Sequence, residues 1–257
     1  MLVVEVVSEG MIFGADRNIT VTHPDGRTKQ SSRQRKVMKW PNNKTLFGFV
    51  GAATIGGQSV ENWLQSIRLE FEKMSSIEHV AQELRCRIEA QRKADEGDNP
   101  SVAMIVHLGG FEQRNGIWLP FEWHVTNTHK LGRFGYLDID QNYTCTEHMH
   151  GPLSPLRGID PSEVRKLLGV LAKQFQPFWF HDGLDLFTFN VLESSIKSSF
   201  KLLCEHHPDH RIPTSLKEWS KHVRMQILMY GAYYNAFKPV GKRYVGGGAD
   251  IEYLPWP

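Results

Sequence analysis

Apolar residues at the start of the chain follow a pattern that is typical of β-strands. Residues 2–7 and 11–15 are short apolar runs that a three-residue turn sequence separates. Two further apolar runs, at 37–40 and 45–50, follow a polar stretch at 17–35, which we interpret as a loop. The chain is therefore expected to begin with two β-hairpins.

After residue 51 the apolar positions recur every three or four residues, which predicts helices. Two such stripes lie between residues 60 and 88, and Ser75 and Glu78 are spaced as a capping box between them. The remaining predicted elements are strands at 102–108, 118–125, 131–136 and 244–254, and helices around 162–175, 192–203 and 216–230.

The order of these elements predicts the fold class. Strands, a helix pair, more strands, more helices and a final strand favour an α+β protein. We expect a four-layer αββα sandwich, in which two antiparallel sheets pack face to face between helix layers. The 257 residues fit one domain over 1–257, with helical additions within 160–237.

Composition and charge narrow the function classes. With 40% hydrophobic and 23% charged residues, the chain has the composition of a globular protein. Its net charge of +2 and a basic stretch without interleaved aromatic rings give no support for a nucleic-acid partner. Its three cysteines lie far apart, which argues against a disulfide scaffold or a zinc ribbon. Glu5 interrupts the apolar start, so we expect no signal peptide, no membrane partner and a cytoplasmic protein.

Several short motifs resemble those of the proteasome β-type family and its bacterial peptidase relatives, within the N-terminal nucleophile hydrolases. A hairpin leads into Gly14, Ala15, Asp16 and Arg17, and Lys36 follows a polar loop. The sequence then runs Phe47-Gly48-Phe49-Val50-Gly51-Ala52-Ala53 before a helix, and the closing Tyr244-Val245-Gly246-Gly247-Gly248-Ala249-Asp250-Ile251 resembles the family's last strand. The match covers residues 1–95 and 240–257.

This resemblance implies a threonine-type peptidase mechanism. The side chain of a terminal Thr, Ser or Cys would attack a peptide amide, and its own amino group would act as the base. Lys36 would favour the deprotonated nucleophile, Asp16 would orient Lys36, and the amides of Gly51 and Ala52 would stabilise the oxyanion. The family also implies a homo-oligomer, as a ring or stacked assembly, with a peptide substrate and no cofactor or metal.

The sequence departs from the family at the positions that decide catalysis. The nucleophile position falls before Met1, and the family's supporting Asp and Ser fall on Lys242 and Val245. Residues 140–160 contain no counterpart of the family's Gly-Ser-Gly turn. Either the true start lies upstream and supplies a nucleophile, or the protein is a catalytically inactive structural or binding subunit of the same fold.

Three other features have alternative interpretations. His206 and His210, next to Cys204, suggest a metal-dependent hydrolase, but Pro208 lies between them and favours a polar helix end. The aromatic run 177–183 is interpreted as core or as a plug between helices, with a partner surface as the alternative. The three glycines at 246–248 indicate a close backbone approach, because no helix follows that could bind a phosphate.

Overall fold

The computed structural model describes thirteen segments of the chain, and all structural statements below concern these. They are residues 1–22, 28–40, 44–74, 76–96, 102–114, 116–128, 130–131, 137–140, 142–147, 159–173, 178–182, 186–236 and 245–257. The helices are α1 (Val60–Phe71), α2 (Ile77–Glu96), α3 (Pro161–Lys173), α4 (Leu186–His206) and α5 (Leu216–Ala236). The strands are β1 (Leu2–Val7), β2 (Gly10–Asp16), β3 (Asn18–Thr22), β4 (Thr28–Arg33), β5 (Val37–Lys39), β6 (Thr45–Gly51), β7 (Thr54–Ile55), β8 (Gln58–Ser59), β9 (Met104–Arg114), β10 (Ile117–Thr126), β11 (Lys130–Leu131), β12 (Leu137–Asp138), β13 (Thr144–Glu147), β14 (Phe178–Asp182) and β15 (Ala249–Pro255).

The two larger sheets are antiparallel throughout, so the protein is of the mixed α+β class that the sequence predicts. The first sheet has the order β14-β1-β2-β15, and the second has the order β13-β10-β9-β6-β5. The opening hairpin β1–β2 and the closing strand β15 thus belong to one sheet. The first and last strands therefore flank β2, with Leu2 opposite Ala15 at one end of β2 and Pro255 opposite Gly10 at the other.

Successive side chains of β1 belong to two different apolar clusters. Leu2, Val4 and Val6 belong to a cluster that also contains residues of β2, β6, β9 and α3. Met1 and Val3 belong to another, which is formed with α4 and α5. A third cluster joins α1 and α2 to the second sheet. Since a strand points successive side chains to opposite faces, β1 contributes to the core on both sides of its sheet.

The structure confirms most predicted elements and corrects three details. The polar stretch 17–35, interpreted as a loop, contains the paired strands β3 and β4. The aromatic run, interpreted as core or as a plug, contains β14, which pairs with β1. Ser75 lies outside the described residues, and the hydroxyl of Ser76 instead accepts the hydrogen bond that caps α2, from the N–H of His79 at 3.1 Å.

Of the helices in the described segments, none has a stretch long and apolar enough to cross a membrane. The predicted strand at 131–136 lies mostly outside the described residues, which include only Leu131 of it, at the end of β11. Helix α4 ends at His206, two residues before Pro208, as the proline predicts.

Candidate active site around Asp16

Strand pairing places the amino end of the chain beside Asp16. In the β1–β2 ladder Leu2 lies opposite Ala15, so Met1 comes next to Asp16, at the end of β2. The N–H of Asp16 donates to the carbonyl of Met1 at 3.2 Å. Lys36 directly precedes β5, the strand at the edge of the facing sheet. Three separate elements therefore meet at one carboxylate.

Both oxygens of the Asp16 carboxylate are used. Oδ1 accepts the amino group of Met1 at 2.5 Å and Nζ of Lys36 at 3.1 Å. Oδ2 accepts the backbone N–H groups of Asn18 and Gly246, each at 3.2 Å. Two cations thus share one oxygen, and two neutral donors share the other. Such an arrangement satisfies the charge of a buried carboxylate.

The cluster is shielded from solvent. Asp16 is fully buried, and Met1 and Lys36 are 5% and 6% exposed. Burial alone would raise the pKa of Asp16, but the nearby Met1 amine and Lys36 outweigh it and hold the pKa below its usual value. The carboxylate is therefore charged at neutral pH and is a fixed partner for both cations.

The glycines before β15 form one wall of this site. Gly247 has a φ of +76°, and a Cβ built on it would lie 2.3 Å from Oδ1 of Asn18. The carbonyl of Gly246 accepts from the N–H groups of Arg17 and Asn18, at 3.1 and 3.2 Å. The close backbone approach that these glycines predict is thereby confirmed, and it brings the Gly246 N–H to Asp16.

The predicted oxyanion donors lie at the end of β6. Gly51 has a φ of +96°, and a Cβ there would lie 2.0 Å from the carbonyl oxygen of Ala103. That same oxygen accepts the N–H of Ala52 at 2.9 Å. The Ala52 amide therefore already has an acceptor. An oxyanion role for Gly51 and Ala52 stays a prediction, as do the catalytic roles of Asp16 and Lys36.

In the described part of the site the amino group of Met1 is a candidate base, but no side chain there is a candidate nucleophile. The side chain of Met1 ends in a thioether, which has no proton to lose and cannot form an acyl-enzyme in the way that a hydroxyl or thiol does. Val245, at the family's Ser position, is buried among apolar side chains of α4 and α5. Lys242 lies outside the described residues.

The histidine cluster does not form a metal site within the described residues. His207 and His210 are in edge contact, with ring centroids 4.6 Å apart, at the polar end of α4. Nowhere in the described segments do three or more His, Cys, Asp or Glu side chains come together as metal ligands.

Sequence comparisons find no match, whereas structural comparison finds proteins of similar fold. No family model matches the chain, and no curated protein matches it. Among solved structures, Anbu (ancestral beta-subunit) from Yersinia bercovieri matches with a TM-score of 0.50 at 14% identity, over 99% of this chain and 81% of that one. The chain therefore shares the fold of an ancestral β-subunit. An Anbu (Gly-1) mutant from Hyphomicrobium sp. strain MC1 gives 0.49 at 13% identity, over 100% and 83%.

These findings correct the family that the motifs indicated. Assignment to the proteasome β-type family and its bacterial peptidase relatives is wrong, since no family model supports it and the structural neighbours are Anbu proteins. The physical reason is visible in the motifs themselves. They lie at hairpin strands and at positive-φ glycines such as Gly51 and Gly247, which the fold requires for its backbone geometry. Such motifs report the fold and do not identify a family.

Residue types alone could not reveal two of the four hydrogen-bond donors to the Asp16 carboxylate. The N–H groups of Asn18 and Gly246 are backbone donors, so no side-chain motif marks them. The only available signal was the run of three glycines before the last strand, which predicts a close backbone approach but not its target.

Proposed function

We propose that this chain is a homologue of the N-terminal nucleophile hydrolases and that the form beginning at Met1 is a structural or binding subunit that does not hydrolyse peptides. One observation carries this proposal: the amino group of Met1 donates to Oδ1 of Asp16 at 2.5 Å. The residue that bears this amino group has a thioether side chain, which cannot act as the nucleophile. In this form the buried cations and carboxylate anchor the amino end of β1 in the sheet.

Packing supports the same assignment. The four-layer αββα arrangement is part of the proposal: one apolar cluster contains residues of both sheets, while separate clusters join α1 and α2 to one sheet and α4 and α5 to the other. A single domain over 1–257 is also proposed, because β1 and β15 belong to the same sheet.

The experiment uses the chain produced from Met1, with its first residue verified by intact mass. It is incubated with fluorogenic peptides and with a peptide that carries an electrophile directed at terminal nucleophiles. We expect no hydrolysis and no mass shift. Stoichiometric labelling of the first residue would overturn the proposal.

A second candidate function is amide hydrolysis by a form with Thr, Ser or Cys directly before Met1. It is favoured by the position of the Met1 nitrogen, which donates to the same Asp16 oxygen as Lys36, because a preceding residue would be attached at that nitrogen. Lys36 could then favour the deprotonated nucleophile. Terminal sequencing of the native protein tests this: a processed Thr, Ser or Cys supports the hydrolase, and a Met1 terminus refutes it.

Assembly is the third part of the proposal. The structural neighbour from Yersinia bercovieri is an ancestral β-subunit. We propose that this chain likewise forms a homo-oligomer. Most soluble oligomers consist of one type of chain, held together by symmetric contacts. Light scattering coupled to size-exclusion chromatography would show a multiple of 29.5 kDa. A monomer mass at micromolar concentration would contradict it.

A further inference from the structure

An arginine-rich groove lies next to the Asp16 site but is separate from it. It has a volume of about 490 Å³ and is lined by four parts of the fold: the residue after β2, the end of β4 with the two residues that follow it, the strand β15, and one residue of α5. The charged residues that line it are Arg17, Arg33, Arg35, Arg224, Asp250 and Glu252. Four guanidinium groups thus face two carboxylates.

Two of the four arginines are already neutralised. Nε of Arg17 donates to Oδ1 of Asp250 at 2.8 Å, and Arg35 forms an ion pair with Glu252. Arg33 and Arg224 have no carboxylate partner within the described segments. Both are solvent-exposed. The groove therefore has an excess of two positive charges, at the two guanidinium groups available to a ligand.

The two carboxylates in the groove add a second requirement. Asp250 and Glu252 lie among the arginines that line it. A compact phosphate concentrates its negative charge on one group, so these carboxylates repel it more strongly than they repel a single carboxylate. A peptide with several acidic side chains distributes its negative charge over separate groups.

We propose that this groove binds an acidic peptide segment of a partner protein. Carboxylates of the peptide pair with Arg33 and Arg224, since the planar guanidinium group binds a carboxylate through two parallel hydrogen bonds. Because two of the arginines are paired with carboxylates of the lining, the positive charge available to a ligand is divided between Arg33 and Arg224. This arrangement suits separate carboxylates better than a compact polyphosphate. A groove of about 490 Å³ is large enough for several side chains.

The test measures binding of a labelled hexaglutamate peptide with blocked ends to the full chain by fluorescence anisotropy at low ionic strength. Hexaglutamine serves as the uncharged peptide. We expect hexaglutamate to bind and the double variant Arg33→Gln/Arg224→Gln to bind at least about tenfold more weakly, because it loses both available charge-assisted contacts. Arg33→Lys/Arg224→Lys, which keeps the charge but not the fork geometry, should lie between the two.

The matched control removes two charges elsewhere. Lys73→Gln/Lys201→Gln replaces two exposed lysines outside the groove and lowers the net charge by the same two units. Its affinity for hexaglutamate should therefore equal that of the unchanged chain. Equal losses in both double variants would show a general charge effect and overturn the proposal. Tighter binding of pyrophosphate than of hexaglutamate would overturn it in favour of a phosphate ligand. All four altered residues are exposed, so thermal unfolding should stay unchanged and confirms that each variant is folded.

Discussion

Replacing Asp16 by Asn tests the buried ion cluster directly. The substitution keeps the size of the side chain and removes the negative charge that faces the Met1 amine and Lys36. Lys36 is 6% exposed, and within the described segments its partner is Asp16, so its charge would remain buried without a counterion. Breaking a buried pair by removing one partner costs about 3–5 kcal/mol, and we expect a loss of this size in the free energy of unfolding.

The assay is urea unfolding at neutral pH, with Asp209→Asn as the control. Asp209 is exposed, so its substitution should change the free energy of unfolding by less than about 0.5 kcal/mol. Lys36→Met and the double variant complete a thermodynamic cycle. Because both single changes destroy the same contact, the double variant should cost less than the sum of the two.

The sign of the pH dependence follows from the pKa of Asp16. Its pKa is lowered in the folded state, so the stabilisation is complete above the unfolded value of about 3.9 and is lost as the pH falls through the folded value. The difference between the unchanged chain and Asp16→Asn should therefore shrink on acidification. A cost below about 1 kcal/mol at neutral pH, or a difference that does not shrink in acid, would refute the reasoning.

Three further substitutions test other parts of the structure. Glu5 is fully buried, and burial raises the pKa of its carboxyl against the weaker opposing effect of Lys197. On α5, Nδ1 of His222 lies 3.8 Å from Oε1 of Glu5. Glu5→Leu should therefore stabilise the protein, by a margin that grows as the pH rises from about 4.3, where the unfolded Glu5 ionises, towards neutrality; a gain independent of pH in urea unfolding would contradict this. Gly51→Ala should cost at least about 1 kcal/mol more than Gly116→Ala, because both have positive φ but only the first Cβ meets a neighbour, at 2.0 Å; equal costs would contradict the close approach. Leu84→Ala, in the cluster beneath α2, should cost about 2–5 kcal/mol and Leu69→Ala, whose side chain is exposed, almost nothing; similar losses of thermal stability would show that the core is placed wrongly.

Local patterns predicted the elements that have an apolar face. β1 and β2 are short apolar runs around a turn, and the helices show stripes with a period of three to four, so their positions follow from burial alone. β4 has the sequence Thr-Lys-Gln-Ser-Ser-Arg, which contains no apolar residue. Its strand conformation depends on pairing with β3, which a local pattern does not encode.

The site was predictable in its side chains and not in its long-range donors. Only the motifs of the family resemblance placed Asp16 and Lys36 together, and the structure joins them across the two sheets, with Nζ of Lys36 3.1 Å from Oδ1 of Asp16. The Gly246 N–H comes from the far end of the chain, and only the pairing of β15 with β2 brings it there. The strand β14 was missed for the same reason, since its partner β1 is far from it in the sequence.

We propose that, in the form that begins at Met1, the Asp16 site anchors the amino end and performs no peptide chemistry. The most direct measurement is intact-mass analysis of that form after exposure to the electrophilic peptide, beside a variant with Thr inserted directly before Met1 and exposed as the first residue. We expect no mass shift in the Met1 form. A stoichiometric adduct on the first residue of the Met1 form would contradict the account.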